Sequence, residues 1–181
     1  MGEDDALEVP REDERMSASR PARSLRRRVA AWIYTGIAIP SLVLGAIYLF
    51  RPDFMPYHAV ALGKEWTELD AATQVLIKAF MEVAAGGWLA LGTLTLLLVA
   101  FPIRRGERWA RWAVPTASLL FYVPTLLATL SVLQQTRASP PWYGNLVVCV
   151  ASVLAFMLDA PWQPDRRRDQ GGRGGDAPNA S

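Results

Sequence analysis

Residues 29 to 50 read VAAWIYTGIAIPSLVLGAIYLF, a run without a single charged side chain. At about 1.5 Å of rise per residue, about 20 such residues cross a hydrocarbon core of roughly 30 Å. A soluble helix of this length would carry a polar stripe, and this run has none, so it predicts a transmembrane helix. Pro40 in its middle is tolerated in a membrane as a kink, with Thr35 or Ser41 placed to help satisfy the freed carbonyls. Gly36, Ser41 and Gly45 offer small surfaces for close helix packing.

Three more spans follow. After Phe50 comes the polar loop RPDFMPYHAVALGKEWTELD, where Pro52, Pro56 and Gly63 interrupt any long helix and Phe54, Tyr57 and Trp66 suit an interfacial layer. Thr67 and Asp70 resemble a capping box, so the second helix is predicted to begin between Thr67 and Ala71. Its uncharged stretch is Val83 to Ile103, and a helix running from Thr67 that far is longer than a bilayer is thick. Its first two turns should therefore project outward, or the helix should bend at Gly86 and Gly87. Beyond the short basic loop RRGER, the third span runs from Trp112 to about Leu133 through Pro115 and Pro124. The fourth runs from Trp142 to Ala160, with Asp159 at its inner end. The predicted helices lie near 29–50, 70–102, 108–135 and 142–161.

The fold class expected is all-α: an antiparallel, integral membrane four-helix bundle over residues 29–162 with disordered termini. Residues 1–28, acidic and then basic with few apolar side chains, and residues 163–181, rich in Gly, Arg, Asp and Pro, are too polar to offset the entropy of ordering. An acidic leader and an overlong apolar run do not fit a cleaved signal peptide. The chain is 51% hydrophobic with a formal net charge of +2, and its basic residues form short runs beside apolar segments. That pattern argues against nucleic acid as a partner and for the lipid bilayer. One cysteine, Cys149, within an apolar run, rules out an intrachain disulfide and reads as a packing residue.

Orientation follows from the basic residues. With the amino terminus inside, only Arg51, Lys64, Lys78 and Arg137 face out, and Arg104, Arg105, Arg108 and Arg111 form a cytoplasmic loop. Trp32, Trp109, Trp112 and Trp162 then fall at inner edges, with Trp66 and Trp142 at outer ones. Both signals place the two termini in the cytoplasm of a cell with an inner (plasma) membrane.

Chemistry-bearing side chains gather at the outer end: His58 in the loop, Gln74, Lys78 and Glu82 on one face of the second helix, Gln134 and Gln135 ending the third, and Asn145 opening the fourth. Glu82 is the deepest ionisable group and is predicted to point into the bundle toward a polar partner, Lys78 being nearest. This set is the candidate ligand-binding pocket, set against a simple interfacial Glu82–Lys78 pair. Gly86, Gly87, Ala90 and Gly92 make a small-residue surface for packing inside the bundle, or for dimerisation through the same face. No catalytic constellation, phosphate loop or metal motif is legible, and no cofactor is called for. Glu82, Glu65, Glu68 and Asp70 with the lone His58 give only a weak cation set, since nothing in the sequence fixes their geometry.

The segments PYHAVALG (Pro56–Gly63), the Gly-rich start of the second span, GERWARW (Gly106–Trp112) and PPWYG (Pro140–Gly144) together resemble the small four-helix bacterial membrane proteins of uncharacterised families, including those loosely grouped as DoxX-like. The resemblance implies a membrane bundle and, for some members, redox or quinone-linked surroundings, and carries over no functional residue. Three functions stand at this point. One is a non-enzymatic accessory or interaction component that meets a membrane protein partner or a second copy of itself. Another is a binder or carrier of a small apolar or quinone-like ligand in the outward pocket, and the third is a transporter component. A closed, packed bundle would favour the first over the second.

Overall fold

A computed structural model describes residues 12–162, with side chains from residue 25 onward. Every element is helical, with no strand among the described residues. Helix α1 covers Glu12–Phe50, α2 Pro56–Leu62, α3 Ala71–Leu98, α4 Arg108–Gln135 and α5 Trp142–Asp159. A single 3-10 turn, Trp66–Glu68, precedes α3, and a π-turn, Val99–Ile103, continues it through Pro102. Four of these helices are long and apolar enough to cross a membrane: Leu25–Phe50, Ala71–Ile103, Arg108–Gln135 and Trp142–Asp159.

The boundary drawn at Val29 falls inside a helix. Backbone helix begins at Glu12 and continues through Pro21 and the arginine-rich stretch into the apolar segment. Residues 1–11 and the tail 163–181, both expected to be disordered, lie outside the described residues. Pro40 is exposed, and the two hydroxyls near it do not serve the carbonyl it frees. Thr35 Oγ1 donates to the Ala31 carbonyl at 2.9 Å and Ser41 Oγ to that of Ile37 at 2.7 Å, each one turn back along its own helix.

The capping box is also shifted. Glu65 and Glu68 form it reciprocally around the 3-10 turn, and Asp70 is itself the N-cap of α3. Its carboxylate accepts from the Thr73 amide at 2.9 Å and the Thr73 hydroxyl at 2.6 Å. Helix α3 runs unbroken through Gly86 and Gly87, and it passes the end of α1. Lys78 Nζ donates to the Arg51 carbonyl at 2.5 Å, just beyond the last residue of α1, so the turns before Lys78 project past it.

Helix α1 is the hub, packed along α3 on one side and α5 on the other, while α4 packs mainly on α5. Glycines set the closest approaches. A Cβ at Gly45 would lie 3.0 Å from the Ala85 carbonyl oxygen, and one at Gly92 would lie 2.9 Å from that of Ala38. The core joins Ala30, Tyr34 and Ile37 of α1 to Met81, Ala85, Trp88 and Leu91 of α3, Val114 and Tyr122 of α4, and Ala155 of α5.

Candidate functional site

The outer cluster read from the sequence does not assemble as a pocket. Glu82 is exposed on α3 and makes no hydrogen bond or ion pair among the described residues. The expectation that it points inward to a polar partner is overturned. Lys78, its nearest candidate, is committed instead to the Arg51 carbonyl just beyond the end of α1. Gln74 Nε2 donates to the Trp66 and Leu69 carbonyls at 2.8 and 3.2 Å, closing the loop over the end of α3. Asn145 is buried and its amide faces Thr129 Oγ1 of α4 at 3.3 Å, which ties α5 to α4 and leaves it remote in role from Glu82. Gln134 and Gln135 are exposed.

His58 belongs to an aromatic knot. Its ring stands edge-on to Tyr57 at 4.3 Å and to Phe54 at 6.3 Å, and Phe54 meets Trp66 at 5.2 Å. The Tyr57 hydroxyl bonds to that of Tyr48 at the end of α1, so the knot seats the loop on the bundle. Burial holds the His58 imidazole below its ordinary pKa of 6.5, favouring the neutral ring. Burial, reinforced by the bond to Tyr48, pushes the Tyr57 phenol up, so it stays protonated. A shallow cleft of about 260 Å³ beside α2 is lined by Ala59, Val60, Gly63, Lys64, Glu65 and Glu68 and includes none of the predicted pocket residues. No group of three or more His, Cys, Asp or Glu among the described residues could hold a metal ion.

The small-residue set divides. Gly87 packs inward, where an added Cβ would lie 2.6 Å from the Phe121 ring, and Gly92 packs on Leu42 and the Ala38 backbone. Gly86 and Ala90 are exposed, and a Cβ at Gly86 would meet nothing within 4 Å. These two lie one and two turns below Glu82 on the same outward face, so packing inside the bundle does not account for them.

The buried polar chemistry lies elsewhere. At the other end of the bundle Arg111, 3% exposed, donates from Nε to Asp159 Oδ2 at 2.8 Å and from Nη2 to the Asp159 carbonyl. Arg108 Nη2 donates to the Pro161 carbonyl at 3.2 Å, so two arginines of α4 hold the C-terminal end of α5. Arg111 is therefore no solvated loop cation. Tyr34 of α1, also buried, lies within electrostatic reach of both members of the pair.

Deeper in the bundle, Ser41 Oγ and Tyr122 OH share a 2.6 Å hydrogen bond between α1 and α4. These buried polar groups recur at seven-residue spacing: Tyr34, Ser41 and Tyr48 on α1, Arg111 and Ser118 on α4, Asn145, Ser152 and Asp159 on α5. Two helical turns are close to seven residues, so each set lines one face. Sequence reasoning missed this seam because it searched for clusters of charge, whereas the available signal was the period. Tyr34 OH, Ser118 Oγ and Ser152 Oγ are buried without a hydrogen-bond partner among the described residues. No family model, curated protein or solved structure matches this chain.

Proposed function

We propose that this chain is a multi-pass protein of the inner (plasma) membrane with a non-enzymatic role, docking on another membrane protein through the outward face of α3. In this reading the four long helices form an antiparallel bundle with both termini in the cytoplasm. Two hydrogen-bonded pairs support that order for α4 and α5: Arg111 with Asp159 at one end, Asn145 with Thr129 toward the other. For α1 and α3, Gly45 lies against Ala85 and Gly92 against Ala38 and Leu42. Membrane residence is supported by the inversion of polarity, with Val83 and Leu120 more than 70% exposed while Ser41 and Ser152 are fully buried.

The docking role rests on one observation, the unpaired Glu82 carboxylate standing above Gly86 and Ala90 on an outward face whose other polar side chain is Thr93. An acidic side chain facing hydrocarbon costs up to about 2.5–3.5 kcal/mol on insertion scales, less near the margin of the span. A partner helix presenting a basic or hydrogen-bond-donating side chain at that depth relieves the cost, and the two small residues let its backbone come close. Nothing about Glu82 favours an internal ligand pocket.

A photo-crosslinking side chain at Ala90, in native membranes, tests the reading. It should give a discrete crosslinked species that disappears with Glu82→Gln or Gly86→Leu, and the same probe at Leu154, exposed on α5, should give none. Equal labelling from both positions, or none from Ala90, sinks it.

A further inference from the structure

We infer that the middle of the bundle is a water-binding site, held by the hydroxyls of Ser118 and Ser152 beside the Ser41–Tyr122 pair. The inference is independent of the docking role and rests on the antiparallel order of α4 and α5. Arg111 and Asp159 are joined by hydrogen bonds at one end of these helices. Seven residues further into the bundle, α4 reaches Ser118 and α5, traced backward, reaches Ser152, so the two serines come to the same depth within about a turn.

On α1, Ser41 is bonded to Tyr122, which stands one turn past Ser118 on α4. Three helices thus deliver Ser41, Ser118, Ser152 and Tyr122 to one layer. All four are buried, the serines to 1% exposure or less.

Packing alone explains why the residues are small and leaves their chemistry unexplained. Ser41 shows the alternative a helix serine has, since it bonds both the carbonyl one turn back and a neighbouring helix. Ser118 and Ser152 do neither: their oxygens are buried with no partner among the described residues. A buried hydroxyl without a partner is costly in a low-dielectric interior, and water is the ligand that repairs it wherever two to four polar groups converge. Here the two orphan hydroxyls supply two such groups, and the free acceptor lone pairs of Ser41 and Tyr122, whose hydrogens are already committed to the Ile37 carbonyl and to the bond between them, supply the rest.

Hydroxyl-radical footprinting in ¹⁸O-labelled water reads the site directly, because radicals generated at a bound water label the side chain beside it. Normalised to the intrinsic radical reactivity of each side chain, Tyr122 should take up ¹⁸O well above Ile37 and Leu91, which are buried but apolar. The Ser118→Ala/Ser152→Ala double variant keeps the packing volume small and removes both hydroxyls, and it should lose most of that label while a thermal melt in detergent shows it folded. Labelling of Tyr122 no greater than that of Ile37 overturns the inference. So does labelling that survives in the folded double variant. Should that variant fail to fold, Ser118→Thr, which keeps the hydroxyl, should retain the Tyr122 label and Ser118→Val should lose it, and equal labelling in the two would overturn it as well.

Discussion

Among single residues, Arg111 and Asp159 carry the largest stake in the fold. Both are almost wholly buried, and removing one partner strands a charge in a medium that cannot solvate it, at about 3–5 kcal/mol. Arg111→Ala or Asp159→Asn should lower the chemical or thermal unfolding midpoint by a shift of that size, whereas Arg111→Met combined with Asp159→Leu should recover most of it. Similar losses in the single and double variants would mean that the pair does not act as a unit. In the sequence Arg111 could not be told from Arg104, Arg105 and Arg108, because all four share one short basic stretch. What separates them is position, since α4 starts at Arg108 and Arg111 is one turn in, facing α5. His58 offers a test at the opposite end. Burial lowers its pKa in the folded loop, so between that lowered value and 6.5 the unfolded chain binds the proton more readily. Its contribution to stability is therefore complete above pH 6.5 and lost as the pH falls through that window. Melting midpoints measured at pH 7.5 and 5 should show the drop, and His58→Phe should flatten it. Asp70 has its pKa lowered by the bonds from Thr73, so its loss belongs to a separate window below 3.8.

At the scale of the element, α3 sets two environments side by side on one helix. Gly86→Ala adds a methyl into open space and replaces the poorest ordinary helix former with the best, so it should raise stability by about 1 kcal/mol. Gly92→Ala drives a Cβ against the Ala38 backbone oxygen and the Leu42 side chain, and should cost about 1–3 kcal/mol as α1 and α3 are forced apart. Denaturant titration of the two variants should give shifts of opposite sign, and shifts of one sign would show that the α1–α3 approach is misread. The helices themselves were legible because apolar length and charged boundaries are local properties. The predicted starts and ends fall close to Ala71, Ile103, Arg108, Gln135, Trp142 and Asp159. The inward or outward sense of each face was not, since a helix apolar on all sides has no stripe to orient it. That is why Gly86 and Gly87, adjacent in sequence, read alike and yet fall on different faces. It is also why Glu82 was assigned to the interior on energetic grounds and lies outside. Lys78, one turn away, reaches the end of α1, which puts Glu82 near the margin of the span, where a carboxylate facing outward costs less than at the helix centre.

For the whole molecule, the distribution of polarity carries the membrane reading, and topology is where it can be broken. The period-seven polar seam places hydroxyls and one ion pair inside, and the outward surface is aliphatic and aromatic. Four exposed tryptophans, Trp32, Trp109, Trp112 and Trp162, lie near α1 residue 32, the start of α4 and the end of α5, the same end as Arg104, Arg105 and Arg108. Basic residues resist translocation and indoles favour the interface, so that end is expected in the cytoplasm. Gly106 lies there between α3 and α4, exposed and in a left-handed turn, while Gly63 lies at the opposite end, exposed at the C-cap of α2. Single cysteines at these positions, in a Cys149→Ala background, therefore report the two sides with little disturbance, although each gives up a glycine at positive φ and should cost a few tenths to about 1 kcal/mol. An impermeant maleimide should label the Gly63→Cys chain in intact cells and the Gly106→Cys chain only after the membrane is opened. The reverse pattern would invert the bundle, placing Glu82 near the cytoplasmic face and the arginines outside. Labelling of both in intact cells would mean that the four helices do not span the bilayer, and the docking role proposed for α3 would fall with that result.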